Sequence, residues 1–154
     1  MISRIAPRLA APVMAACLAL TAIAPQAAQA DDTPKLVTII TSADPQAQLM
    51  GMVLTMQAAR QGAETQILLC GTAGDIALRD APETATAPQP PRGMSPQGLM
   101  QTIMAETDTT TQVCAIYLPG KGVGAEALID GVTAAAPDTM AAALLADDVR
   151  LLSF

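Results

Sequence analysis

The 154-residue chain contains no histidine and no tryptophan, and only one tyrosine and one phenylalanine. Without histidine there is no Ser-His-Asp or Cys-His nucleophile pair, no imidazole metal ligand, and no imidazole to shuttle protons near neutrality. Bases are also scarce, eight against 14 acids. That balance disfavours nucleic acid and anionic lipid as partners. With so few rings, aliphatic side chains and methionines must fill the core. Met50, Met52, Met56, Met100 and Met104 carry thioethers that Cu(I) accepts. Met52 and Met56, however, share a helical stripe with Leu49 and Val53, so packing is the preferred reading and no metal or other cofactor is expected. No P-loop spacing can be drawn through the glycines after Pro119, and Asp75, Asp80 and Glu83 read as solvated charges.

The first thirty residues have the layout of an export signal. Arg4 and Arg8 are followed by an apolar run from Leu9 to Ala24, and Ala28 and Ala30 form a small-x-small cleavage pattern before Asp31-Asp32. The run is shorter than the ~20 residues a spanning helix needs. Residues 1–30 are therefore expected to be a cleaved signal peptide, and the product to be periplasmic or secreted. A loosely lipobox-like Val13 to Cys17 lacks the usual Leu and a polar tether after it. Residues 31–154 then make one domain of ordinary size, with six bases against 14 acids and a formal charge of −8.

Within that domain strand-like and helix-like patterns alternate, which predicts an α/β fold, a single three-layer α/β/α domain around a mainly parallel sheet of about five strands. Expected strands are 35–41, 65–70, 112–118, a brief 132–133 and 149–154. Expected helices are 46–61, with Asp44-Pro45 as cap and first-turn proline, the one opened by Ser95-Pro96, and shorter ones over 76–79, 125–130 and 139–146. Ala81 to Gly93, rich in Pro, Ala and Thr, reads as a surface loop.

Two cysteines remain after processing, Cys70 and Cys114. Cys70 ends one expected strand and Cys114 lies in the next, and strands successive in sequence are often neighbours, so the two can lie side by side. A disulfide, a resolving thiol or mere proximity are all open. Cys114 is the stronger chemical candidate. It stands near the C-terminal end of its strand, the end where open α/β sheets bind ligands. The amides around Gly120, Gly122 and Gly124 and the charge of Lys121 would stabilise an anion there and lower a thiol pKa. An inert core cysteine is the alternative for both positions.

The segment Val113-Cys-Ala-Ile-Tyr-Leu-Pro-Gly-Lys-Gly-Val123 resembles the cysteine segment of the DsrE/TusD-like (DsrE/DsrF-like) sulfur-relay family. There an apolar strand ends near a Cys, and a basic-Gly-aliphatic step follows, here Lys121-Gly122-Val123. Thr41-Ser42, Arg60-Gln-Gly62, the second strand with its Gly turn and the run from Ala142 to Phe154 also stand in family order. Where relatives carry another cysteine or small residues after the Cys, this chain has Ile116 and bulky Tyr117. The resemblance implies a sulfur carrier or sulfurtransferase. Cys114 would take sulfane sulfur as a persulfide with Lys121 in support, Cys70 would be a resolving or disulfide partner, and sulfur donor or acceptor proteins would be its partners. It also implies a homo-oligomer. The alternative is a non-catalytic binding or assembly module on the same fold.

Overall fold

The computed structural model describes residues 33–154. The expected export signal, its expected cleavage site and Cys17 lie outside the described residues. Among the described residues no helix is long and apolar enough to cross a membrane.

The chain begins with strand β1, Lys35–Ile40, whose β-branched run suits a strand buried on both faces. Helix α1, Pro45–Arg60, follows. The Asp44 side chain accepts a hydrogen bond from the Ala47 amide at 2.8 Å, and Pro45 stands in the first turn, where its missing N–H costs nothing. Strand β2, Glu64–Leu69, leads into a 3-10 segment, Gly71–Ala77. Helix α2, Glu83–Thr86, is a single turn that buries Ala85 inside the stretch expected to be surface loop. A burial site for a small side chain, supplied by the neighbouring core, thus outweighs the local loop composition. Helix α3, Pro96–Glu106, starts as expected, with Ser95 Oγ accepting from the Gly98 amide at 3.1 Å.

Strand β3, Thr110–Cys114, is shorter at its C-terminal end than the expected 112–118. Tyr117 and Leu118 belong instead to helix α4, Tyr117–Lys121, which ends at Gly122 in the left-handed conformation (φ 71°) that glycine adopts without strain. The expected helix 125–130 is only a 3-10 turn, Ala125–Ala127. Strand β4, Thr133–Ala135, helix α5, Pro137–Leu144, and strand β5, Val149–Ser153, close the order. Helix α5 starts at Pro137, two residues before the expected 139, which puts Asp138 in its first turn.

The sheet runs β4-β3-β2-β1-β5, and every pairing among these strands is parallel. From β1 to β4 the chain steps one way across the sheet; β5 returns to the far edge beside β1. Right-handed crossovers require the forward and the return connections to lie on opposite faces. The two clusters of buried side chains fit this. Ile40, Ile67, Leu69 and Val113 pack with Met52, Met56, Leu99, Met100 and Ile103 of α1 and α3, whereas Leu68 packs with Ala135 and with Met140 of α5. Met52, Met56 and Met100 are core fillers as expected, but Met50 and Val53 of α1 are exposed. The C-terminal crevice between β1 and β5 is closed by the chain itself: Thr41 donates its amide to the Phe154 carbonyl at 2.7 Å.

The α1 layer also carries a buried polar contact. Thr38 of β1 and Thr55 of α1 are fully buried, with their hydroxyls 2.7 Å apart, and Thr55 donates to the Gly51 carbonyl at 2.8 Å. Replacing Thr55 by Val keeps the shape but strands the Thr38 hydroxyl, so Thr55→Val should cost about 1–3 kcal/mol. The double variant Thr38→Val/Thr55→Val should recover most of that loss, because both polar groups are removed together. Urea denaturation of the two single variants and the double tests this, and a double variant less stable than either single would overturn it.

Candidate functional site

Parallel pairing of β2 with β3 places Leu69 opposite Val113, so the next residues, Cys70 and Cys114, come side by side at the C-terminal ends of their strands. Their Cα atoms are 5.1 Å apart, within the range a bridge requires, and the two form a disulfide. Of the arrangements left open by the sequence, this is the one present. Both cysteines are half-buried. They line a cavity of about 320 Å³ together with Thr72, Asp75, Ile116 and Lys121, among others.

The cavity wall is organised by a carboxylate that the sequence reading set aside. Asp75 lies in the 3-10 segment that follows Cys70, and its side chain is only 20% exposed rather than solvated. One oxygen, Oδ1, accepts the Tyr117 phenol at 2.6 Å and holds the Lys121 ammonium at 2.8 Å. Tyr117 and Lys121 are four apart on α4, so one helix face brings both to the same carboxylate. This explains why the third strand stops early. Continued as a strand, 115–118 would alternate sides of the sheet, whereas a helical turn lays the ring over Gly74. A Cβ on Gly74 would stand 2.7 Å from Tyr117 Cζ and closer still to two other ring carbons, so only glycine admits the ring. Gly74 and the lone tyrosine were thus the signals that could have pointed to Asp75.

Lys121 therefore reaches the cavity already paired with a carboxylate rather than as a free cation. Of the three glycines assigned to anion binding, Gly120 lines the cavity. Gly122 serves as the C-cap of α4, and Gly124 precedes the next 3-10 turn. The expected glycine loop is thus partly a helix, and its amides are partly used within the chain: the Gly120 amide donates to the Ile116 carbonyl at 3.0 Å and the Gly122 amide to that of Pro119 at 3.1 Å. Ile116, at the turn between β3 and α4, is 83% exposed at the cavity rim. No group of three or more Cys, Asp or Glu side chains among the described residues is placed to hold a metal ion.

A five-stranded parallel sheet with this crossover pattern has counterparts among solved structures. The ychN protein from E. coli superposes with a TM-score of 0.61 at 18% identity, over 79% of this chain and 99% of that one. A protein of unknown function, MTH1491 from Methanobacterium thermoautotrophicum, does so with a TM-score of 0.55 at 11% identity, again over 79% and 99%. The fold is DsrE-like. No family model matches the chain, and no curated protein does. At these identities the likeness is one of architecture. The chemical groups of the site are the disulfide, Asp75, Tyr117 and Lys121.

The phenol is the most perturbed group of the site. Burial in the core pushes the Tyr117 pKa well above its ordinary value, and the hydrogen bond to Asp75 and that residue's negative charge push it the same way. The sign of the linkage follows. Below pH ~10 the phenol is neutral in both folded and unfolded chains and its contribution is whole. As the pH rises beyond that, the unfolded chain loses the proton first, so stability falls. Because the protein has a single tyrosine, its phenolate absorbance reads this one site. The absorbance should appear only well above pH 10, together with unfolding, and Asp75→Asn should bring its midpoint down. Titration at the ordinary tyrosine pH in the folded wild type would overturn the assignment.

Proposed function

We propose that this is an exported DsrE-like protein that handles sulfane sulfur or thiol redox through Cys114, with Cys70 as the resolving cysteine. The observation that carries the reading is the disulfide itself, which joins the C-terminal ends of neighbouring strands and, although it packs against the core behind it, lines a cavity. Sulfur transfer between thiols needs neither histidine nor metal, which suits a chain without histidine.

The balanced sequence starts from the reduced pair. The Cys114 thiolate attacks the outer sulfur of a donor persulfide, forming a persulfide on Cys114 and releasing the donor thiolate. That sulfur is then passed to an acceptor thiolate, or the Cys70 thiolate attacks the inner sulfur of Cys114. In the second case the Cys70–Cys114 disulfide forms and hydrosulfide leaves, so the donor sulfur is reduced at the expense of the two thiols. A dithiol reductant restores the pair through a mixed disulfide. Lys121, held by Asp75 in the cavity wall, supports the anion at Cys114, and exposed Ile116 gives a protein donor an apolar contact beside the sulfur.

The decisive experiment starts from reduced protein freed of reductant and treated with cysteine persulfide. Wild type should return to the disulfide with about one sulfide released per chain. Cys70→Ser should hold one added sulfur atom on Cys114, seen in intact and peptide masses, and Cys114→Ser should hold none. Reduced wild type that takes up no sulfur and releases no sulfide would sink the proposal. The disulfide would then be a staple closing a loop of sequence separation 44, worth about 2–4 kcal/mol, on a binding module.

A homo-oligomer is part of the same reading. A parallel sheet normally buries both faces. Here the α5 side is covered thinly, with Leu151 of β5 54% exposed and Leu145 after α5 82% exposed. A second copy covering that side would bury both. Light scattering should therefore give more than one chain per particle, and Leu151→Glu should drive it toward one; a wild-type monomer at micromolar concentration would count against it.

A further inference from the structure

A second cavity, of about 700 Å³, lies away from the cysteines, between α1, α3 and the Pro88 to Met94 loop. Its α1 side presents Leu49, Met50, Val53 and Met56, and Leu99 of α3 and Met94 of the loop add to the apolar wall. The loop is held in place rather than hanging over the opening: the Gln89 amide donates to the Met94 carbonyl at 3.1 Å, and the Gly93 amide to the Gln89 carbonyl at 2.8 Å. Met50 and Val53 are 52% and 41% exposed, so the apolar stripe of α1 is wider than the core it covers.

The charges of this cavity run against those of the protein. The described residues hold six bases, and four are paired with carboxylates: Lys35 with Asp148, Arg60 with Glu106, Arg79 with Asp130 and Lys121 with Asp75. Arg92 has no carboxylate partner among the described residues, and it stands in the cavity wall. Arg60 and Glu106, also in the wall, neutralise each other at 3.0 Å. The cavity therefore combines an apolar floor with one unmatched guanidinium, in a domain of formal charge −8. Ligand sites of this kind are apolar clefts with a few polar groups that fix orientation, and a guanidinium presents a planar fork of donors that matches a carboxylate.

We infer that this cavity binds a small amphipathic monoanion, an aliphatic carboxylate whose head group pairs with Arg92 and whose tail lies along α1 from Met50 to Met56. The six residue steps from Met50 to Met56 give that tail a track of about 9 Å. A neutral molecule would leave Arg92 unmatched, and a cation would meet it with the wrong sign.

The methionine methyl groups report on the site directly. In protein labelled with 13C at the methionine methyls, decanoate should shift the Met50, Met56 and Met94 signals saturably and leave Met140, on the other face of the sheet, in place. Decanol should bind about tenfold more weakly, and decylammonium more weakly still. Arg92→Gln removes an exposed, unpaired side chain and should bring decanoate to the level of decanol. Val53→Gln should weaken decanoate and decanol alike. No saturable decanoate shift, an equal response to decylammonium, or an Arg92→Gln protein that binds decanoate as wild type does would overturn the inference. So would Met50 and Met94 signals that move on dilution without ligand, since these would assign the face to a second copy of the chain.

Discussion

The register between β2 and β3 is the constraint on which the site depends. Leu69 opposite Val113 leaves Cys70 opposite Cys114, on the same face and at bridging distance. A slip of one residue would send one sulfur through the sheet, because strand side chains alternate faces. The same register sends Leu69 and Val113 into the α1 and α3 core, while Leu68 faces α5. Burial of those three side chains thus holds the position of two sulfurs that are themselves only half-buried. The Gln66 amide adds to it, donating to the Gln112 side-chain oxygen at 2.7 Å, with Gln112 reaching Thr133 of β4 at 3.2 Å. Packing, and a side-chain ladder across three strands, fix the register that the cysteines exploit.

Reading the sequence alone recovers the parts governed by period and punctuation. The β-branched run of β1, the Asp44-Pro45 and Ser95-Pro96 starts and the alternation of strands with helices come from local rules, and the structure follows them. The adjacency of Cys70 and Cys114 was legible for a topological reason, since strands joined by a crossover helix tend to be neighbours. What local rules miss is set by distant partners. Val113 to Leu118 is apolar and strand-like along its whole length, and only the space over Gly74 and the carboxylate of Asp75, some 40 residues earlier, turn its second half into a helix. Ala85 is a small version of the same effect, a burial demand overriding a loop composition. Asp75 was misread as solvated because nothing beside it in sequence reveals that a phenol and an ammonium converge on it.

The two cavities divide the molecule by chemistry. At the C-terminal ends of β2 and β3 lie two bridged sulfurs and, in the same cavity wall, a carboxylate that holds a phenol and an ammonium. Between α1 and α3 lies an apolar surface with one unmatched guanidinium. They are separated by the core around Met52, Ile67 and Met100. The first is built from strand ends and the turns that follow them, where backbone geometry is fixed by the sheet. The second is built from a helix face that is wider than the core requires.

The Asp75 network also explains how a reactive pair could be kept on a chain without histidine. A thiolate needs a nearby positive charge, and a lone lysine on a five-residue helix has many rotamers to lose in providing it. Fixing Lys121 against Asp75 would settle that entropy cost ahead of the proposed sulfur chemistry, at the expense of partial neutralisation by the carboxylate. Tyr117 moderates the neutralisation, because its phenol already occupies the same oxygen, Oδ1, that holds the lysine. The phenol stays protonated well into the alkaline range, so its hydrogen bond to the carboxylate persists there. In the proposed reaction the bulky tyrosine, which departs from the sulfur-relay pattern, would thereby share in fixing the carboxylate that holds the single lysine in place.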